Sequence, residues 1–546
     1  MNERFQLLPL SHINPSNVYG QNEEYRMTEH SEQNNSNSAD HIEQPYNRAG
    51  EQPTTTRPVM QPDNPYASTR GSITSKHLPA FDEAIIHKYN RSGPRYTSYP
   101  TALEFAPIAD SLETKILQNR EARAPLSLYF HIPFCRHLCY YCACNKIITK
   151  KNSDSGDYLQ YLIAEIKHKR RLLSAPEGSN KPLVKQLHLG GGTPTFLRDE
   201  EMVQLWEFLQ TQFDFLPEDE GDYSIEIDPR ELSEDTLKVL RGLGFNRISL
   251  GVQDLDETVQ IAVNRVHSAE LIENVLNEAR ELGFHSINID LIYGLPHQTP
   301  DTFNQTVQHI IEMSPDRLSV FNYAHLPERF KAQRQIKDED LPNPAAKLTM
   351  LGNTINTLSD AGYQYIGIDH FAKPDDELAV AQREGKLHRN FQGYTIMGDC
   401  DLLGFGVSSI SQIANASTRY ILQNNTDLQA YQSNIDMAKI NPTVMPAVKV
   451  IKTSIRDRLR EYVIMNLLCH DYVDFKDVNQ KFGIDAITYF IDEIAQLGAM
   501  QDDKLIDMDA AGIRVLPRGR LLGRNVAMVF DEYLETKHKD RFSKVI

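Results

Sequence analysis

From Phe81 onward, short apolar or β-branched runs recur along the chain, separated by helix-length amphipathic segments. Six runs stand out, at 126–131, 185–189, 223–227, 246–251, 286–293 and 316–323. Between them, 157–173, 199–213, 233–243 and 269–282 carry apolar residues at helical spacing. Strands alternating with amphipathic helices predict βαβ units and a parallel sheet. Six units are too few for an eight-stranded closed barrel. The pattern therefore predicts an α/β fold, a partial (β/α)6 TIM-like barrel with a mainly helical C-terminal domain.

Ligands of parallel α/β folds gather at the C-terminal ends of the strands, and here those ends are polar or glycine-rich. A cysteine cluster follows the first run and Gly190-Gly191-Gly192-Thr193-Pro194 the second. Glu226-Ile227-Asp228-Pro229 closes the third, and Gln253 follows the fourth. Asp290 and Gly294-Leu295-Pro296 mark the fifth, and Ala324-His325-Leu326-Pro327 follows the sixth.

The flanks differ in texture. Residues 1–78 are polar, without sustained apolar periodicity, and the first lysine of the chain is Lys76. Such a segment buries too little surface to offset its ordering entropy and is expected to be disordered. A linking segment at 79–120 then precedes the barrel at 121–330. Residues 331–445 are expected to form a barrel-flanking helical region with a glycine-rich stretch at 402–407. Residues 446–546 are expected to form an accessory domain, helical with a strand pair near 501–506 and 512–516. That domain reads as winged-helix-like and as a lid.

Charge narrows the partners. The 57 Lys and Arg stand against 74 Asp and Glu, a net charge of −17. That excess disfavours non-specific nucleic-acid binding and anionic lipid surfaces. No run approaches the ~20 apolar residues of a membrane span, and residues 1–20 lack a basic, signal-like start. A cytoplasmic location is expected, and an anionic substrate would need local Arg and His against the global field.

Six cysteines are too few for a disulfide scaffold. Cys135, Cys139, Cys142 and Cys144 fall within ten residues, whereas Cys400 and Cys469 stand alone. Structural zinc usually takes two C-x2-C pairs, or one pair with two histidines. A thioredoxin-like C-x2-C would have no use for Cys135. Three thiolates on one loop suit a [4Fe–4S] cube, leaving the fourth iron open to a molecule with amino and carboxylate groups. The C-x3-C-x2-C spacing matches the signature of radical S-adenosylmethionine enzymes, with zinc the plainer reading. Gly190 to Gly192, lacking Cβ atoms, allow close backbone approach to a cofactor. Glu226, Gln253, Arg265 and Asp290 are candidates for ribose hydroxyls and carboxylates.

Longer words then carry a closer resemblance. They are Lys88-Tyr-Asn-Arg-Ser-Gly-Pro-Arg-Tyr-Thr-Ser-Tyr-Pro100, the cysteine segment with its extra Cys144, and Asn288-Ile-Asp-Leu-Ile-Tyr-Gly-Leu-Pro296. Phe321-Asn-Tyr-Ala-His-Leu-Pro327, His370-Phe-Ala-Lys-Pro-Asp-Asp-Glu-Leu-Ala379, His388-Arg-Asn-Phe-Gln-Gly-Tyr394 and Arg518-Gly-Arg-Leu-Leu522 continue the series. From about Ala84 to Ile546 the chain resembles the oxygen-independent coproporphyrinogen III oxidase family, a radical S-adenosylmethionine branch. The resemblance implies the partial barrel of that superfamily and a segment 79–120 that contacts substrate. It implies cleavage of S-adenosylmethionine by a [4Fe–4S] cluster on Cys135, Cys139 and Cys142, with Tyr129 beside them in the catalytic set. The 5′-deoxyadenosyl radical would then convert two propionates of coproporphyrinogen III to vinyl groups, giving protoporphyrinogen IX. It further implies two S-adenosylmethionine molecules. The first would meet Tyr129, Gly191 and Glu226; the second Tyr141, Gly192, Thr193, Gln253, Arg265, Asp290, Ala324 and Ile410. A small-molecule tetrapyrrole substrate, an electron donor such as flavodoxin or ferredoxin, and a monomer are the expected partners and state.

A fourth thiolate would block the open iron, so Cys144 is expected near the cluster without ligating it. Arg91, Arg95 and Arg389 are candidates to meet the substrate's four carboxylates, because guanidinium forks suit them. One departure stands out. Where the family continues Thr-Thr-Gln-Gly after Gly393-Tyr394, this chain has Thr395-Ile396-Met397-Gly398. Two other readings are a radical S-adenosylmethionine enzyme that modifies haem and a haem-binding chaperone. Chaperone-type relatives usually lack the extra cysteine and the 93–99 word, and both are present here.

Overall fold

A computed structural model describes residues 79–415 and 418–534, so the polar extension expected at 1–78 lies outside the described residues. The alternating pattern resolves into β1 (Leu126–Ile132), α1 (Ser153–Arg170), β2 (Leu183–Gly191), α2 (Asp199–Gln212), β3 (Asp222–Ile227) and α3 (Thr236–Gly242). It continues through β4 (Arg247–Gln253), α4 (Ala269–Glu281), β5 (Ser286–Tyr293), α5 (Pro300–Met313) and β6 (Arg317–Asn322). Strands β1 to β6 pair in parallel in chain order. Their outward side chains and the helices' apolar stripes share one core. In α4, Ile272, Val275, Leu276 and Ala279 are buried at helical spacing, and Ser268 caps the helix by accepting from the Leu271 N–H at 3.1 Å.

The next region departs from expectation. Residues 331–445 are not a helical flank. They hold the helices α6 (Pro344–Asp360) and α7 (Leu428–Ile440) and a shorter helix at Glu377–Glu384, and also β7 (Gln364–Gly367), β8 (His370–Ala372), the hairpin β9 (His388–Asn390) and β10 (Gly393–Thr395), β11 (Asp401–Phe405), β12 (Ile410–Asn415) and β13 (Thr418–Asn424). Most of these strands are too short for a period of two to register in sequence. With β14 (Ala447–Lys452), the large sheet runs β14-β13-β12-β11-β1-β2-β3-β4-β5-β6-β8-β7.

The glycine-rich stretch conceals a seventh parallel strand. β11 lies beside β1 in register, from Asp401 opposite Leu126 to Phe405 opposite Phe130, and is buried throughout. Its glycines mark close approaches of backbone and side chains. A Cβ on Gly404 would run into the Ile410 backbone, and Gly406 has φ +92° and a Cβ there would run into the Tyr158 hydroxyl. A buried charge network fastens this strand to α1. Lys169 lies 2.8 Å from Glu165 and 3.3 Å from Glu113 and donates to the Gly404 carbonyl at 2.9 Å. Glu165 accepts from the Gly406 N–H and the Tyr431 hydroxyl. Every charge in it has a partner, which is the condition for burying charge.

The C-terminal elements are α8 (Ile455–His470), β15 (Tyr472–Asp474), α9 (Phe475–Phe482), α10 (Ile491–Asp502), β16 (Ile506–Met508) and β17 (Gly512–Val515). The expected strand pair is a three-stranded antiparallel sheet, ordered β15-β17-β16. Residues 501–502 finish α10 and are not strand. Leu459, Val463, Phe475, Val478, Phe490 and Ile513 build a separate core here, which Ile85, Tyr96 and Tyr99 join. Tyr96 donates to Asp531 at 2.9 Å, and Asp82 pairs with Arg518. Most of the apolar surface of the 79–100 segment therefore serves C-terminal packing. Arg95 turns the other way, toward the barrel.

Candidate active site

The cysteine loop is a closed excursion from the end of β1. Phe134–Cys135 pairs with Ile147–Ile148, and His131 Nε2 lies 2.9 Å from the Asn145 carbonyl, so both stems are held. Cys139 is buried, Cys135 and Cys142 are half-buried, Cys144 is exposed, and all are free thiols. Two guanidiniums point at Cys139 Sγ, Arg265 Nη1 at 3.5 Å and Arg230 Nη2 at 3.6 Å. Asp228 Oδ2 accepts from both, at 2.9 and 2.7 Å. Burial pushes the Asp228 carboxyl up, but Arg230 and Arg265 outweigh it and hold it down at about 2. Cys142 is held at about 6, first by its hydrogen bond from Cys144 and then by Lys146, against burial. Burial pushes Cys135 up to about 11 although Thr193 Oγ1 lies 3.5 Å from its sulfur.

Those surroundings fit an iron–sulfur cluster. Three thiols share one loop, and cations face two of them, as thiolate ligation requires. Cys135, Cys139 and Cys142 are the residues that would hold it.

The glycine triplet closes the adjoining wall, and each position has its own reason. A Cβ on Gly190 would sit 2.9–3.1 Å from the Glu226 carboxylate. Gly191 has φ +118°, and its Cβ would meet the His131 ring at 2.7 Å. On Gly192 it would meet the Pro133 and Phe134 backbone at 2.8–2.9 Å. Gly192 and Thr193 N–H groups donate to the Ile132 and Phe134 carbonyls, both at 2.8 Å, so β2 is stitched to the cysteine loop. Gly192→Ala is therefore expected to displace the backbone beside Cys135. Stability should fall by about 1–3 kcal/mol, the range for overpacking, and the iron-to-protein ratio of reconstituted protein should fall with it. Gly190→Ala, which meets only a movable side chain, should keep its iron.

The other sequence candidates divide into groups the fold brings together. Glu226 Oε2 accepts from the Gly191 N–H at 3.1 Å, and Oε1 lies 3.4 Å from His188 Nε2. Tyr129 stacks on His188 and its hydroxyl lies 3.0 Å from His131 Nδ1. Tyr129, Gly191 and Glu226 thus share one wall. Deeper round the barrel, Asp290 accepts from Asn288 at 2.8 Å and Ser249 at 3.2 Å. Burial, with Glu226 nearby, pushes Asp290 up to about 6. Gln253 adopts φ +74° at the end of β4, and its buried Oε1 has no donor among the described residues. Tyr141 and Ala324 meet through Gln333, which donates to both carbonyls, at 3.0 and 3.2 Å. Ile410 opens β12 at the same end of the sheet, beside the seventh strand.

Arg230, Gln333, His131 and His188 escaped the sequence reading. Only Arg230 carried a local signal, lying two residues after Asp228 in a polar strand end. Among the carboxylate candidates, Arg91 is exposed and donates to the Asn525 carbonyl at 3.4 Å. Arg95 pairs with Asp369 over the Phe321 ring. It also lines a cavity of about 350 Å³ with His87, Asn90, Tyr293, Ala324 and His325. Arg389 stacks on Tyr394 at 4.7 Å. Ile396, the first of the two residues that depart from the family pattern, packs against the small apolar cluster of Ile366, Leu378 and Leu387.

An open parallel barrel whose first strand ends in this cysteine loop defines a radical S-adenosylmethionine enzyme. Residues 129–310 match the Radical SAM superfamily, and 454–522 match the HemN C-terminal domain. The oxygen-independent coproporphyrinogen III oxidase of Pseudomonas aeruginosa is 50% identical over 470 residues, 85% of this chain and 99% of that protein. Its Escherichia coli counterpart is 48% identical over 469 residues, 85% and 98%. The solved structure of coproporphyrinogen III oxidase (HemN) from Escherichia coli, described as a radical SAM enzyme, superposes with a TM-score of 0.78 at 46% identity, covering 84% of this chain and all of that one. The chain belongs to the oxygen-independent coproporphyrinogen III oxidase family. Among the described residues no helix is long and apolar enough to cross a membrane.

Proposed function

We propose that this chain converts coproporphyrinogen III to protoporphyrinogen IX without O2, turning two propionates into vinyl groups. The observation that carries the reading is the seating of a loop with three free thiols against the glycine triplet, with the acidic ends of β3 and β5 at the same end of the sheet. It stands in a chain that spans nearly all of its relatives' length. When bound, the cluster and S-adenosylmethionine together supply hydrogen-atom abstraction at a propionate β-carbon. Each propionate then gives up CO2 and one electron, which an acceptor must take.

The protein's own groups bind and orient. Cys135, Cys139 and Cys142 would hold the cluster, and Arg230 and Arg265 would balance the charge at Cys139. Cys144 would stay off the iron, and its N–H donates to Cys142 Sγ at 3.4 Å. Gly191 and Glu226, with Tyr129 beside them, receive a first S-adenosylmethionine. Gly192, Thr193, Gln253, Arg265, Asp290, Tyr141, Ala324 and Ile410 receive a second. The unpartnered Gln253 Oε1 supports that assignment, because a ribose hydroxyl would give it the missing donor. The protein works in the cytoplasm as a monomer, with flavodoxin or ferredoxin as electron donor.

The test is anaerobic reconstitution with reductant, S-adenosylmethionine and coproporphyrinogen III, following 5′-deoxyadenosine and porphyrins by chromatography. Vinyl products together with 5′-deoxyadenosine are expected. Cofactor cleavage without vinyl products would assign another tetrapyrrole. An intact cluster with no cleavage would overturn the enzymatic reading.

A further inference from the structure

Arg389 differs from the other two carboxylate candidates in having no acceptor. Its Nε and Nη1 are buried and unpartnered among the described residues. A buried guanidinium with idle donors is costly unless something else completes it. The nearby carboxylates are committed elsewhere, Asp369 to Arg95 and Asp471 to Arg520 at 2.8 Å. Next to Arg389, His370 packs edge-on to the same Tyr394 ring at 5.3 Å, and its Nδ1 is likewise buried without a partner. Two unpartnered nitrogen groups thus flank one aromatic ring, and Arg389 is only half-buried, leaving a way in.

The fold places this pair beside the barrel lumen. Arg389 lies in the β9/β10 hairpin opposite Tyr394. His370 in β8 pairs with Ser319 of β6. Ser319 donates to Asn288 at 3.2 Å, and Asn288 donates to Asp290. His370 thus sits one strand register from the Ser319–Asn288–Asp290 hydrogen-bonded group of the barrel. His370 also meets the Phe321 ring at 6.0 Å, whose face carries Arg95. Burial and then Arg389 lower His370 to about 3, so the imidazole is neutral and the guanidinium supplies the charge.

We propose that Arg389, with His370 beside it, is the pocket that anchors one carboxylate of the tetrapyrrole substrate, and that this carboxylate is one the product retains. The proposal rests on the tetrapyrrole reading above. A guanidinium stabilises a carboxylate as an anion, and loss of CO2 consumes that anion. Tight pairing therefore suits a propionate that stays and opposes one that leaves. Arg95 keeps its own counterion and Arg91 donates to a main-chain carbonyl, so of the three candidates Arg389 is the one with buried donors left open among the described residues.

The test uses the full chain with two probes, coproporphyrin III and its tetramethyl ester, titrated by fluorescence against the unsubstituted protein, Arg389→Gln and Arg389→Lys. Arg389→Gln is expected to weaken the tetra-acid about 10- to 100-fold, the worth of a charged hydrogen bond, and to leave the ester unchanged. Arg389→Lys should recover part of the loss. Melting temperature should stay level or rise in Arg389→Gln, because an uncompensated buried cation is removed. Equal affinity for the tetra-acid in the unsubstituted protein and Arg389→Gln overturns the proposal. So does a clear fall in melting temperature that Arg389→Lys reverses without restoring binding, which marks a structural arginine. Arg389-dependent binding without vinyl products in the assay above leaves the anion pocket standing and overturns the proposed reaction.

Discussion

Cys139→Ser is expected to leave the reconstituted protein without its iron–sulfur absorbance and to lower reductive cleavage of S-adenosylmethionine by about 10³-fold or more, some 4 kcal/mol of barrier. Cys139 is the buried thiol of the three candidate ligands and the one both guanidiniums face. Serine oxygen is a poorer iron ligand than thiolate, and its loss leaves two anchors on a loop whose stems are fixed by β1 and Ile147–Ile148. Cys144→Ser is the paired control. Cys144 is exposed and touches Cys142 rather than the arginines, so its serine variant should keep full iron content. Iron and sulfide analysis with the visible spectrum reads both. A normal cluster in Cys139→Ser, or an empty one in Cys144→Ser, would reverse the assignment of ligands.

Asp228→Asn is the second large effect, and it acts on the folded state. Asp228 is the shared counterion of Arg230 and Arg265, all three largely buried. Asparagine keeps the shape and removes the charge, leaving two neighbouring cations without an anion. The cost should be about 2–5 kcal/mol, between the linkage value of the depressed carboxyl and the cost of breaking a buried pair. The sign follows from the shift: the folded carboxyl sits at about 2 against an unfolded 3.8. Its contribution is therefore complete above pH 3.8 and disappears as pH falls through 2. In urea titrations the gap between unsubstituted protein and variant should be constant from pH 5 to 8 and narrow below about pH 4. A gap that does not change with acidification would show that the carboxylate charge is not what holds the pair. The same variant should lose iron, because Arg265 and Arg230 lose the group that aims them at Cys139.

Much of the candidate site was legible because its residues are close in sequence or sit at strand ends. The C-x3-C-x2-C spacing needs no tertiary information, and the glycine triplet, Glu226 and Asp290 fall where βαβ geometry puts ligands. The six strands stand as read, and the further parallel strand β11 escaped for a local reason. β11 is read from Asp401-Leu-Leu-Gly-Phe405, and a glycine inside a five-residue run looks like a loop. What makes it a strand is its neighbour β1, some 275 positions earlier, matched residue by residue.

The amino-acid sequence by itself determined the parallel α/β core, the cysteine loop and the class of chemistry. These depend on local periodicity and on ligand spacing along one stretch of chain. Tertiary structure alone decided which cations face which anions. Asp228 gathers Arg265 from 37 positions away, and Tyr96 leaves its conspicuous sequence word to reach Asp531, 435 positions on. It also decided that Ile396 packs in a core and that Arg389 keeps two buried donors idle while Arg95 does not. Pairing and burial are properties of distance in space, and a pattern read along the chain carries no record of them.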